Sequence, residues 1–341
     1  MRFRALIAID LGTVNTLVWV AGRGLTLEEP TAIALDRGTG QVAAVGQEAD
    51  ALAGKEAQDV EVVFPLRDGV VADLDATAAM LHGFLRRALP RRGLLRPAAV
   101  VCVPSGATWV ERRAVAAAAE ARRPRCQVEL VDEPVAAATG SGVDLSGGAG
   151  AFIVDVGGGT TEIAVVAGTR VARSRSLRLG GNAMDAAIAH TVQEELGLVL
   201  GRNATRRLKM TLGLTGGANG WAEAVGVDAV HRAPKTERVP GYLVAAALEP
   251  TVAKIADTVQ EMLTDIPPDL AEDVVEGKVM LSGGGALLPG LASRIEATAG
   301  IGTLVVDDPL RCVLRGAAEI ISRDGGRKAA TTAGKHQHAA R

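Results

Sequence analysis

Aromatic residues are nearly missing from this chain: Phe, Trp and Tyr together make up 2% of its 341 residues. Ala, Val, Leu and Ile must therefore pack its interior. Cysteine is also scarce. Cys102, Cys126 and Cys312 lie far apart without metal-ligand spacing, fit a reducing cytosol and read as structural. Charge of either sign is not in excess: the formal net charge is −2 and the pI about 6.3, which gives no footprint for nucleic acid. No apolar run is long enough to span a membrane. No signal peptide is expected, because Met1-Arg2-Phe3-Arg4 leads straight into strand-like sequence. What is abundant is aliphatic residue: 48% of the chain is hydrophobic, with mean hydropathy +0.21, enough for a large core over about two domains.

Two stretches share one plan. Ala151-Phe152-Ile153-Val154 is an apolar run that ends at Asp155, followed by Val156-Gly157-Gly158-Gly159-Thr160-Thr161-Glu162-Ile163 and a second apolar run. This reads as a β-hairpin with a bare, amide-rich tip beside a carboxylate. Such a tip suits phosphate, and the carboxylate suits a hydrated Mg²⁺ that takes few protein ligands. An ordinary Gly-rich turn would read the same way in isolation. Near the N-terminus, however, Leu6-Ile7-Ala8-Ile9-Asp10-Leu11-Gly12-Thr13-Val14-Asn15-Thr16-Leu17 repeats the plan. Two such hairpins point to an internal duplication, with one nucleotide between two facing phosphate hairpins.

The rest alternates strands with helices, which predicts an α/β fold. Helices are expected over Leu74–Leu89, Thr108–Ala121, Val135–Gly140, Ala183–Leu196, Thr205–Leu212, Leu243–Asp265, Leu288–Ala299 and Leu310–Ser322. Strands are expected over Ala98–Val103, Cys126–Val131, Val171–Leu177, Lys278–Leu281 and Thr303–Val306. Glu133-Pro134 starts a helix with Pro in its favoured first turn. Ser141–Gly150 is Gly-rich and reads as a hinge. Arg91–Pro97 reads as a basic surface loop with Leu94 and Leu95 at its middle. Leu214–Pro240 shows few strand signals. Arg323–Arg341 is polar and reads as a disordered tail.

With both hairpins, Asp132-Glu133-Pro134 and Ser282-Gly283-Gly284-Gly285 in order, the chain resembles the actin, Hsp70 and sugar-kinase superfamily, and within it the MreB/Mbl family of bacterial actins. Arg67-Asp68-Gly69-Val70-Val71-Ala72-Asp73, Val101-Cys102-Val103-Pro104 and Val110-Glu111-Arg112-Arg113-Ala114 carry the same resemblance, which runs from Ile7 to about Ile321. It implies an actin-like ATPase fold: two RNase H-like domains, each with a smaller inserted subdomain, and a nucleotide in the central cleft. The first domain is expected over 1–141 plus 315–330, with an insertion near 28–72. The second is expected over 142–314, with a divergent insertion near 183–250.

The resemblance also implies roles. Asp10 and Asp155 would hold Mg²⁺ through water. Gly12, Thr13 and Asn15 would meet one side of the ATP phosphates, and Gly157, Gly158, Gly159 and Thr160 the other. Glu133 would orient the water that attacks the γ-phosphate. Gly283, Gly284 and Gly285 would lie against adenosine, and Lys209 near base and ribose. Such positioning of metal, amides and water is what slow ATP hydrolysis requires. The same resemblance implies self-assembly into filaments on the inner membrane surface, with Leu94 and Leu95 entering the lipid, and work with the cell-wall elongation machinery that sets cell shape. Two positions depart from the family pattern: Thr211 stands where an acidic residue usually contacts the ribose, so nucleotide affinity is expected to be lower, and Asn182 stands where an aspartate is usual. The divergence of Leu214–Ala246 weakens the expectation of filaments. A sugar or acetate kinase on the same fold, a chaperone ATPase, and a nucleotide-binding scaffold that does not polymerise are the competing readings. The first lacks a visible acceptor pocket, and the second a substrate-binding domain.

Overall fold

The computed structural model describes residues 4–55, 59–89, 95–121, 126–217 and 220–323; of Leu95 it describes the backbone alone. The chain forms two compact units, Met1–Asp144 with Arg311–Arg341, and Leu145–Leu310.

The first unit contains β1 (Arg4–Leu11), β2 (Asn15–Val20), β3 (Gly24–Pro30), β4 (Ile33–Asp36), β5 (Val42–Val45), α1 (Gln47–Asp50), β6 (Val60–Val63), β7 (Leu66–Arg67), β8 (Val70–Val71), α2 (Leu74–Ala88), β9 (Leu95–Val103), α3 (Trp109–Glu120), β10 (Gln127–Asp132) and α4 (Glu133–Gly140). Its main sheet has the order β10-β9-β1-β2-β3, with β9 parallel to both β1 and β10. A smaller sheet, β5-β4-β6, stands beside it. Ile7, Ile9, Val18, Met80, Phe84, Val101 and Val103 are buried in one cluster. Strand β1 is a nearly continuous apolar run because both faces of a central strand are covered.

The second unit contains β11 (Gly150–Val156), β12 (Thr161–Ala167), β13 (Arg170–Leu177), α5 (Gly181–Leu196), β14 (Leu198–Leu200), α6 (Arg202–Leu212), β15 (Trp221–Asp228), β16 (Pro234–Pro240), α7 (Gly241–Thr264), α8 (Pro268–Gly277), β17 (Val279–Ser282), α9 (Leu291–Ala299) and β18 (Thr303–Val305). Its main sheet, β13-β12-β11-β17-β18, repeats the topology of the first: three antiparallel strands in sequence, then two parallel ones. Phe152, Val154, Ile163, Ile188 and Ile255 are fully buried in its core. A last helix, α10, covers 312–323.

Three expectations need correction. Leu214–Pro240 is not poor in strands: β15 and β16 pair along their whole length, and β14 completes a three-stranded sheet. The signal was masked because the alternation is inverted. Inward positions of β15 are small, Ala222, Ala224 and Gly226, while Trp221, Val225 and Val227 face solvent. Gly226 has no room for a side chain, since a Cβ there would lie 2.4 Å from Val199 O on β14. Second, the loop expected over Arg91–Pro97 is shorter, because Leu95, Arg96 and Pro97 already belong to β9. Third, β3, α1, β6, β7, β8, α8 and β14 are not anticipated, and Phe64–Asp73, read as a loop, contains β7 and β8. Strand β3 hides in Gly24–Pro30, which is acidic and lacks a β-branched run.

Candidate functional site

The two hairpins are built alike, atom for atom at their tips. Asp10 stands near the end of β1, and two residues on Gly12 N donates to Asn15 O at 3.1 Å. Asp155 stands near the end of β11, and two residues on Gly157 N donates to Thr160 O at 2.8 Å. In both, glycine is required by the same close approach. A Cβ on Gly12 would lie 2.8 Å from Asn15 O, and one on Gly157 would lie 3.2 Å from Thr160 O. The duplication read from sequence is therefore a duplication of turn geometry.

Each tip is braced differently. At the first, Thr13 Oγ1 accepts from Gly69 N at 3.0 Å, in the Asp68-Gly69 turn between β7 and β8 where both residues have positive φ. Thr31 Oγ1 donates to Gly12 O at 2.7 Å. At the second, Gly181 N donates to Gly157 O at 2.9 Å and Asn182 N to Gly158 O at 2.8 Å. The first amides of α5, which have no partner inside their own helix, are thus satisfied by the hairpin. Gly180 permits this approach, since a Cβ there would lie 2.6 Å from Gly157 O.

Asp155 is the most constrained of the candidate residues. It is 7% exposed, and Ser282 Oγ donates to its Oδ1 at 2.6 Å. Burial pushes its carboxyl up to about 6, the Glu162 charge adds to this, and the Ser282 hydrogen bond opposes it. An ionised Asp155 is therefore costly on its own and gains from a nearby cation, so it fits Mg²⁺. Gly283, at φ +79°, follows directly; a Cβ there would lie 2.5 Å from Val156 O and 2.9 Å from Asp155 Oδ1. Gly284 and Gly285 continue the turn, and a Cβ on Gly285 would lie 2.2 Å from Val156 Cγ1. The glycine run after β17 is thus packed against the strand that carries Asp155.

Glu133 is the first residue of α4, not part of the preceding loop. Arg112 pairs with Asp132 immediately before it. Helix α4 is held by close packing against α10: a Cβ on Gly140 would lie 1.9 Å from Cys312 O, and one on Gly316 1.8 Å from Ala136 O. Arg315 Nε donates to Gly140 O at 2.7 Å. Lys209 Nζ lies 2.8 Å from Asp185 Oδ1 and donates to Gly181 O at 2.8 Å. Thr211 is exposed on α6. The three cysteines are buried, Cys312 Sγ donates to Ala137 O at 3.2 Å, and burial pushes the Cys126 thiol up to about 11. Leu94 lies outside the described residues. No described helix is long and apolar enough to cross a membrane. Sequence reasoning gives no role to Ser282, Asp185 or Gly180, whose partners are remote in the chain and carry no periodic signal.

The paired sheets and hairpins define an actin-like fold. Solved structures agree. One of MreB5 of Spiroplasma citri bound to AMPPNP matches with a TM-score of 0.89 at 29% identity, over 97% of this chain and 100% of that one. A MamK double helical filament matches with a TM-score of 0.80 at 22% identity, over 94% and 99%. The family model described as MreB/Mbl protein matches residues 4–326. The chain belongs to the MreB/Mbl family. It is 38% identical over 340 residues to the cell shape-determining protein MreB of Escherichia coli strain K12, covering 95% of this chain and 97% of that one. It is 35% identical over 314 residues to the cell shape-determining protein Mbl of Bacillus subtilis strain 168, covering 91% and 93%.

Proposed function

We propose that this chain is an ATP-binding cytoskeletal protein that assembles into filaments under the cytoplasmic membrane and helps to organise cell-wall synthesis. The observation that carries the nucleotide reading is the pair of hairpin tips closed by the same glycine N–H to carbonyl contact, each glycine two residues beyond an aspartate. The MreB5 structures bound to AMPPNP and to ADP support it. Gly12, Thr13 and Asn15 at the first tip, and Gly157, Gly158, Gly159 and Thr160 at the second, would hold nucleotide phosphates. Asp10 and Asp155 would hold Mg²⁺, which would supply positive charge against that of the phosphates. Glu133 orients water for slow hydrolysis, held by the packed α4. Gly283, Gly284 and Gly285 face the adenosine.

Assembly is supported by the family and by the intact β14-β15-β16 sheet. That sheet shows that Leu214–Pro240 is rich in strands, contrary to the weak pattern read from its sequence. Membrane attachment rests on Leu94 beside Arg91 and Arg92, with Leu95 at the first position of β9. Arginines near an anionic surface contribute about 1 kcal/mol each. One loop of this kind binds weakly, so a filament that presents many of them supplies the avidity. Sedimentation and electron microscopy with ATP, Mg²⁺ and anionic vesicles test the reading. Nucleotide-dependent filaments on the vesicles are expected; a protein that stays monomeric with ATP would contradict it.

A further inference from the structure

Lys209 has an internal occupation. It is 8% exposed, and a buried ammonium persists only where acceptors replace its lost water. Here they are the Asp185 carboxylate and the Gly181 carbonyl, both at 2.8 Å. Burial lowers its basicity and Asp185 opposes that effect. The residue it grips, Gly181, donates its own amide to Gly157 O at 2.9 Å, and the next amide, Asn182 N, reaches Gly158 O at 2.8 Å. A continuous chain of contacts therefore runs from α6, through the first turn of α5, to the second glycine tip.

We propose that Lys209 is a positioning residue: with Asp185 it locks the first turn of α5 behind Gly157 and Gly158, and so fixes the phosphate-binding tip instead of reading base or ribose. This rests on the nucleotide reading above, but the lock itself exists without nucleotide. Gly181 offers a way to disturb it while keeping the lysine. A Cβ there would lie 3.3 Å from Lys209 Nζ, so the ammonium must shift by a few tenths of an ångström against its carbonyl.

The test uses the full chain and two variants, Lys209→Met and Gly181→Ala. In nucleotide-free protein, hydrogen exchange of a peptide covering 156–162 is compared with one covering 9–16. Faster exchange in the first peptide alone, by about tenfold for loss of one charged hydrogen bond, is expected. Unchanged exchange there in both variants would overturn the proposal. Calorimetry with ADP and with adenosine supplies the second reading. A loss of about tenfold for ADP, with adenosine affinity unchanged, is expected. An equal loss for adenosine means a direct contact with base or ribose and would overturn the proposal. If Lys209→Met does not fold, Gly181→Ala decides by itself. Wild-type protein that binds neither ligand would contradict the nucleotide reading, while the exchange result would still decide the lock.

Discussion

Asp155→Asn is expected to stabilise the ligand-free protein while destroying its use of Mg²⁺. The side chain is 7% exposed, and its carboxyl is raised from 3.8 to about 6 by burial, reinforced by Glu162. Above pH 6 the folded protein must carry an ionised carboxylate that it would rather protonate. A shift of roughly two pKa units corresponds to about 3 kcal/mol of lost stability at neutral pH. Because the folded value is the higher one, that loss is complete above about pH 6, roughly halved at pH 5, and gone below 3.8. Asparagine keeps the shape and can still accept from Ser282 Oγ, now 2.6 Å from Oδ1. Thermal melts in chelator should therefore show the variant more stable at pH 7.5, by about 5 °C or more, with a smaller gain at pH 5. Mg²⁺-dependent ATP binding should weaken in the same variant. An Asp155→Asn protein that melts below wild type at pH 7.5, or whose gain does not shrink on acidification, would refute the reasoning.

Glu133→Ala should abolish ATP turnover and leave nucleotide affinity within about twofold, since the side chain acts on water; turnover at the wild-type rate, measured by phosphate release, would remove Glu133 from the mechanism. Gly316→Ala should cost about 3 kcal/mol or more in denaturant melts, because the new methyl would lie 1.8 Å from Ala136 O and force α4 and α10 apart. Leu94→Ser with Leu95→Ser should reduce co-sedimentation with anionic vesicles while circular dichroism stays unchanged; a folded double variant that binds like wild type would exclude this loop as the membrane contact.

The sequence exposed what is repeated and what is apolar. Asp10 with Gly12, and Asp155 with Gly157, were legible because aspartate, glycine and flanking β-branched residues give the same local geometry wherever they recur. The central strands were legible because burial on both faces demands unbroken apolar runs. Strand β15 escaped because its inward residues, Ala222, Ala224 and Gly226, are small, and Gly226 lies where a Cβ would meet Val199 O of β14. The Ser282–Asp155 and Lys209–Asp185 contacts escaped for another reason. They join residues 127 and 24 positions apart, and nothing local marks such a pair. Arg91–Pro97 was read as loop from its Gly and Pro, yet Pro97 sits within β9.

The central proposal is that nucleotide binding requires both hairpins. Calorimetric titration of ATP with Mg²⁺ into the wild-type chain, repeated with Gly12→Val and with Gly157→Val, tests it most directly. One site per chain, lost or greatly weakened when either tip is filled, is the expected result. Binding of two nucleotides per chain, or binding unaffected by one of the two substitutions, would contradict it.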